Sequence, residues 1–405
     1  MKITYIHQHV SLPTEPGGQR PWEFAHRLAA EGHDVTIICG GMEDKEAVIE
    51  GVRVHRIAAP YDNSMSVRER IQSFLSFMAK ATLRASMTSA DLVFASSTPL
   101  TTAIPGMVAS RLRRTPFVFE VRDLWPSVPV ELGLLTNKAV IAFARLLEKV
   151  TYAEADRIIA LSPGMAGGVL RVRPDAAVTV IPNASDVEKF APFRAQRQKI
   201  REELGWSVND IVLVYAGSFG LTYDTPWLMR TANVLRQIDP RYRVVICGKG
   251  AETENLSRLA RKFDMPLPET LPGALPKNDV ARLLAACDFA VSTMVDEPPL
   301  HVNSLNKVFD ALAAAAPVIF NHPGWLPELL SERGAGFILP KDPQEAAEAL
   351  HERLTEGYDR TGAAARALEL GKEQFDRDAL FQTFAGVLTS SQLDAGAKQL
   401  PASTS

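Results

Sequence analysis

Cysteine is scarce: Cys39, Cys247 and Cys287 are the only three in 405 residues, far apart and in apolar contexts. That argues against a disulfide framework and a cysteine-held zinc site, and makes a reducing cytoplasm the expected home. An excess of one charge is lacking too. The formal net charge is −3, which leaves no electrostatic footprint for nucleic acid, so nucleic acid is not an expected partner. Nor are there long apolar runs: Met1–His7 carries no signal-peptide stretch and no later segment reaches the length of a membrane span, so a soluble or at most peripheral protein is expected.

Several chemical signatures are missing as well. There is no Gly-x-x-x-x-Gly-Lys-Ser/Thr run, and neither glycine loop forms Gly-x-Gly-x-x-Gly with an acidic residue closing the next strand, so ATPase and dehydrogenase readings lose support. Without Gly-x-Ser-x-Gly no nucleophile elbow marks a hydrolase. No Asp-x-Asp follows a strand and no His/Cys cluster has ligand spacing, so no metal and no cofactor are expected. Any charge on a leaving group falls to the protein itself.

What is present is a strand-turn-helix opening used twice: Ile3–Gln8 into Pro16-Gly17-Gly18, and Ile211–Ala216 into Gly217-Ser218-Phe219-Gly220. Each apolar run reads as a buried parallel strand, and each glycine loop lets backbone N–H groups approach a ligand at a helix N-terminus. In the first half, helix Pro21–Glu31 precedes strands at Asp34–Cys39, Val52–Ile57, Leu92–Ala95, Phe117–Val121, Arg157–Ala160 and Val178–Ile181. The second half continues through Arg243–Cys247, a short strand near Thr270–Leu271, then Phe289–Val291, Val318–Phe320 and Gly336–Leu339. Alternating strands and helices predict two Rossmann-like, doubly wound α/β domains facing across a cleft, where two substrates can meet. Pro182, Asn183 and Pro192 put the linker near Asn183–Phe193. The domains are read as 1–187 and 188–374, and the polar, small-residue tail 391–405 as disordered.

The richest segment runs from Ser304 to Ile319, a helix followed by a strand that Pro317 opens. Asn306 and Asp310 share a helical face near its start, and Lys307 lies beside them. A lysine can meet a phosphate and a carboxylate can accept from ribose hydroxyls; equally, these are the surface charges that begin an ordinary buried helix.

In order and spacing these segments resemble glycosyltransferase family 4. The resemblance spans nearly the whole chain: Gly17-Gly18 with Arg20-Pro21, Glu31–Val35, Phe119–Pro126, Val180–Asn183, Tyr215–Ser218, Ile246–Gly250, Leu271–Gly273, and Asn306–Asp310 through Pro317–Ile319. The string Arg122-Asp123-Leu124-Trp125-Pro126 looks most like bacterial polysaccharide and aminosugar transferases. The resemblance implies the GT-B fold and a retaining, metal-independent transferase that moves a sugar from a nucleotide diphosphate, a UDP-sugar by preference, to a hydroxyl acceptor such as a glycan, a lipid-linked sugar or a small natural product. It also implies a final helix, fitted by residues 375–390, that crosses back to the first domain. A GT-B nucleotide-sugar 2-epimerase and a non-catalytic sugar-nucleotide-binding protein are the alternatives.

By the same resemblance, Gly217 and Ser218 lie near the diphosphate, Lys249 and Lys307 neutralise it, Asn306 belongs to the same donor site, backbone at Leu271–Ala274 holds the base and Asp310 reaches the ribose. Gly17 and Gly18 bring the first loop to donor or acceptor. Glu120, Arg122 and Asp123 line the acceptor side, where their carboxylates position the attacking hydroxyl. The family often carries two glutamates with seven residues between them; Val302 and Asp310 stand in those places here, with Asp296 or Glu297 as stand-ins for the first. Residues 66–87 set Arg68, Arg70, Lys80 and Arg84 beside Ile71, Phe74, Leu75, Phe77 and Met78. Packing on the first sheet is the expected use of that helix, and an anionic membrane surface at the inner face of the cell membrane is the other.

Overall fold

The computed structural model of the chain describes residues 1–13, 15, 20–60, 65 and 67–399, with side chains excepted at 67, 70 and 391–399. It divides into two compact units: unit 1 is Met1–Pro182 together with the chain from Leu380, and unit 2 is Asn183–Ala379. The division falls before the 187/188 boundary read from the prolines because Asn183 and Ser185 already bond inside unit 2, to Ser304 and Asp310.

In unit 1, β1 (Lys2–Ile6), β2 (Asp34–Gly41), β3 (Lys45–Ile49), β4 (Val52–Ala58), β5 (Leu92–Ser96), β6 (Phe117–Val121), β7 (Arg157–Ala160) and β8 (Val178–Val180) form one sheet, in the order β3-β4-β2-β1-β5-β6-β7-β8. All pairings are parallel except β3 with β4. Strands covered on both faces need continuous apolar runs, which is why β1, β5 and β6 are buried almost throughout. β3 carries exposed Lys45 and Glu46, charges that suit an edge and hide it from a search for apolar runs.

Six helices join these strands: α1 (Arg20–Ala30), α2 (Val67–Met87), α3 (Ala103–Arg113), α4 (Ser127–Glu131), α5 (Lys138–Glu154) and α6 (Pro163–Val172). α1 buries Trp22, Phe24, Ala25 and Leu28 on one face of the sheet, with Phe381, Phe384 and Leu388 of the helix Arg377–Gln399. The Phe24 and Phe384 rings lie 4.7 Å apart, and each buried aromatic of this kind contributes about 1.5–3 kcal/mol. That last helix runs on to Gln399, through residues expected to be disordered; its Ala, Gln, Leu and Lys are all good helix formers, which a reading by polarity and small size passes over. Residues 400–405 lie outside the described residues. α2 buries Phe77, Ala81 and Ala85, the packing expected of it.

Unit 2 holds β9 (Ile211–Ala216), β10 (Tyr242–Cys247), β11 (Phe289–Ser292), β12 (Val318–Phe320) and β13 (Gly336–Ile338) in a parallel sheet of order β10-β9-β11-β12-β13. Alternate residues of β9 serve opposite faces: Leu213 and Tyr215 join a cluster with Trp227, Ile246 and Phe289, while Val212 and Val214 join Val308, Phe309 and Leu312. The short strand expected near Thr270–Leu271 is instead a helical turn, Leu267–Thr270, with Pro268 in its first turn. Only an isolated bridge from Cys247 to Gly273 follows it.

Each sheet reverses its winding at one point. In unit 1 this lies at the C-terminal ends of β1 and β5, in unit 2 at those of β9 and β11. Open α/β sheets bind ligands at such ends.

Candidate functional site

At the switch point of unit 2, helix Asn306–Ala313 buries Val308, Phe309, Ala311 and Leu312 and thereby fixes the azimuth of Lys307. Its Nζ donates to the Tyr215 hydroxyl at 2.7 Å and sits 4.0 Å and 4.3 Å from the ring centres of Tyr215 and Tyr223. Loss of water pulls the Lys307 amine from 10.5 down to about 7, whereas the two ring faces favour its charged form. Burial raises the Tyr215 phenol, so it stays neutral and donates in turn to the Ser218 carbonyl at 2.7 Å.

The loop after β9 is built around that chain of bonds. Lys307 fills the space over Gly217, where a Cβ would stand 3.1 Å from Lys307 Cε. Gly248 has φ +151°, and a Cβ there would meet the Gly217 carbonyl oxygen at 1.8 Å, so only glycine fits. Gly217 N–H donates to Cys247 O at 3.0 Å, Phe219 N–H to Lys249 O at 3.0 Å, and Gly248 N–H to Gly273 O at 2.9 Å. The Gly217 amide is therefore spent inside the protein; what Gly217 supplies at this end of the sheet is room for Lys307 rather than a donor. Ser218 is exposed, and so is the Lys249 side chain.

The other residues expected at this site are dispersed. Asp310 turns away from Lys307 and accepts from Ser185 Oγ at 2.7 Å, and burial raises its carboxyl pKa. Asn306, the first residue of the helix, is exposed. Leu271 packs on the core while its N–H donates to Leu267 O. Asp296 is held by His301 at 2.7 Å and by Lys341, bonds that lower its carboxyl pKa, Lys341 first; it is already engaged.

His322, absent from the sequence reading, stands just past the end of β12. Its Nδ1 lies 2.8 Å from Pro323 O, while its buried Nε2 has no hydrogen-bond partner among the described residues. Burial, followed by the charges of His301 and Lys307, pulls its imidazole down to about 4. Tyr215 and Tyr223 were missed as well, Tyr215 because a tyrosine in an apolar strand reads as core and Tyr223 because it sits in a short loop turn without a motif. Position at a strand's C-terminal end was the available signal for His322.

In unit 1 the structure corrects one assignment outright. Glu120 is 0% exposed; its Oε1 accepts from Arg20 Nε at 2.9 Å and its Oε2 from Ser96 Oγ. Arg20, 3% exposed, also donates to the carbonyls of Ile181 and Pro182. This buried pair ties the start of α1 to the end of β8, and Glu120 is not available to a substrate. Arg122 and Asp123 lie just past β6, and the Arg122 charge reaches His7 and His9. Asp123 accepts from Thr98 Oγ1 at 2.7 Å, and burial raises its pKa. Arg122 Nη1 is buried with no hydrogen-bond partner among the described residues. Burial, and after it the Arg122 charge, lowers the imidazoles of both histidines, His9 to about 4. Gly17 and Gly18 lie outside the described residues. No group of three or more His, Cys, Asp or Glu that could hold a metal occurs among the described residues.

Residues 17–184 match the family described as Glycosyl transferase 4-like domain, and residues 210–356 the family Glycosyl transferases group 1. The alpha-maltose-1-phosphate synthase of Mycolicibacterium smegmatis is 24% identical over 265 residues, 63% of this chain and 66% of that enzyme, just under two thirds. Among solved structures, Anabaena HepE in complex with UDP and glucose superposes with TM-score 0.70 at 20% identity, over 96% of this chain and 100% of that one. Sucrose-phosphate synthase from Thermosynechococcus elongatus superposes with TM-score 0.75 at 18% identity, over 98% and 99%.

Proposed function

Because the chain is a glycosyltransferase of family 4 with the GT-B fold, we propose that it transfers a hexose, with retention, from a UDP-sugar held by unit 2 to a hydroxyl acceptor held by unit 1. The observation that carries this reading is Lys307. A partly dehydrated amine beside Gly217, at the ligand-binding end of the sheet, suits a diphosphate. The UDP and glucose named for the Anabaena structure favour UDP-glucose as the first donor to try.

In the proposed reaction the acceptor oxygen bonds to the anomeric carbon on the face the diphosphate leaves. The bond from that carbon to the diphosphate oxygen breaks, and the acceptor proton passes to a diphosphate oxygen. Lys307 stabilises the charge that develops there, and His322 Nε2, the acceptor nitrogen of a neutral ring whose Nδ1–H faces Pro323 O, lies in the same neighbourhood to accept a hydrogen bond from a sugar hydroxyl. On the acceptor side, Arg122 and Asp123 orient the hydroxyl-bearing molecule. No metal and no covalent nucleophile enter the scheme.

The test is product analysis with UDP-glucose and a panel of hydroxyl acceptors in chelator. The reading expects UDP release that depends on acceptor, and an α-linked product by NMR. A β-linked product, or turnover that appears only when divalent metal is restored, overturns it.

A further inference from the structure

α5 sets exposed apolar side chains beside exposed basic ones on its outer face. Its inner face is buried through Leu147, Thr151 and Tyr152, and Glu148 is buried beside them. Its outer face leaves Phe143 59% and Leu146 60% exposed, and Leu134, in the turn before it, is 75% exposed. Large apolar side chains grouped in solvent mark a surface that something else covers. Lys138, Arg145 and Lys149 are exposed along one edge of that face, and none of the three is in an ion pair among the described residues. The two acidic residues of the helix are withdrawn from it: Glu148 is buried and Glu154 pairs with Arg111.

The longer α2, for which a membrane surface was the alternative to packing on the sheet, differs in two of its cations. Its Arg84 is occupied by Glu46 and His55, and its Lys80 donates to the Ala58 carbonyl at 3.0 Å. Arg84 and Lys80 thus serve the protein, whereas on α5 only Arg145 has a charged neighbour, the buried Glu148, and none of the three basic groups is in an ion pair among the described residues.

We propose that the outer face of α5, with Leu134, docks unit 1 onto a lipid bilayer that carries anionic headgroups. Phe143, Leu146 and Leu134 enter the headgroup layer while Lys138, Arg145 and Lys149 meet lipid phosphates, the division of labour of an interfacial helix. A second copy of the chain is the poorer occupant, because pairing two such faces brings six basic groups together with no acidic partner (2 × the three above). No helix among the described residues is long and apolar enough to cross a membrane, so this is attachment to a surface. As a crossover helix, α5 starts at the end of the sheet that carries Arg122 and Asp123. Docking therefore presents that end of unit 1 to a lipid-borne hydroxyl, a consequence that rests on the acceptor role proposed above.

The experiment is flotation of the full chain with phosphatidylcholine vesicles, with and without phosphatidylglycerol, at low and high salt. It compares wild type with Phe143→Ser/Leu146→Gln, with Lys138→Glu/Arg145→Glu, and with the α2 variant Leu83→Gln. We expect binding to the anionic vesicles alone, lost at high salt. Each α5 pair should weaken it roughly tenfold or more, and Leu83→Gln should leave it unchanged. Because these positions are exposed, melting and UDP titration of the same samples should stay at wild-type values, which separates this claim from the donor-site reading. Wild type that stays off anionic vesicles at low salt overturns the proposal. So does equal flotation of the α5 variants, or a dimer in sedimentation that the Phe143→Ser/Leu146→Gln pair dissociates without any vesicle binding.

Discussion

The Tyr215 hydroxyl accepts a hydrogen bond from Lys307 Nζ and donates one to the Ser218 carbonyl, each at 2.7 Å. One phenol thus fixes both the lysine and the loop beyond β9. Tyr215→Phe keeps the ring under Nζ but removes both bonds. Affinity for UDP is expected to fall by about 1 kcal/mol, roughly fivefold, with the melting temperature little changed. Calorimetric titration of the two proteins checks this, and unchanged affinity contradicts the role given to the hydroxyl.

The lowered pKa of Lys307 gives binding a pH signature. The amine is charged below about 7 in the free protein, and a diphosphate beside it raises that value. Binding above pH 7 therefore takes up a proton, and affinity falls as pH rises, by up to about tenfold per unit, until the raised pKa is passed. Titration at pH 8 in two buffers of different ionisation enthalpy reads the uptake. Lys307→Ala should abolish it.

Stability carries the opposite trend from the same group. The folded pKa is depressed from 10.5 to about 7, so between those values the unfolded chain binds more protons and the lysine's contribution to stability rises with pH. Below about 7 both states are charged and the penalty of burial is complete. Lys307→Met should therefore stabilise the free protein most at or below pH 7 and least near pH 10.5. Urea unfolding at several pH values measures the difference.

Glu120 separates structure from chemistry. Glu120→Ala leaves Arg20 buried without its partner and is expected to cost about 3–5 kcal/mol, whereas Glu120→Gln keeps the shape and should cost less. If Glu120→Gln melts lower yet retains acceptor-dependent turnover, the structural role stands. A fully folded Glu120→Gln without turnover contradicts it.

Gly248→Ala tests the loop stack. A methyl at φ +151° against the Gly217 carbonyl forces the two loops apart, with an expected loss of about 2–4 kcal/mol and weaker UDP binding. Native stability in this variant would show that the loops do not need the close approach.

Most strands were legible because buried parallel strands are short, β-branched and bounded by turn residues, as in Phe117–Val121 and Ile211–Ala216. β3 was not, since edge charges break the apolar pattern. Leu267–Thr270 was misread because a proline in a first helical turn resembles a strand break. Within the candidate site, Lys307 was singled out by the family resemblance, since its helix and spacing alone left an ordinary surface charge open. The partner of Glu120 was not: Arg20 lies a hundred positions away, and only the fold brings the two together. The same holds for Asp310 and Ser185, and for Lys307 and Tyr215, whose pairings depend on which way a helix turns.

The most direct measurement is titration of the full chain with UDP, without divalent metal, comparing wild type with Lys307→Ala. The account predicts saturable binding by wild type, weakened in the variant by about 1.5–3 kcal/mol, roughly ten- to a hundredfold, with an unchanged fold by circular dichroism. Equal affinity in the two proteins, or no binding by wild type, contradicts the placement of the donor diphosphate at Lys307.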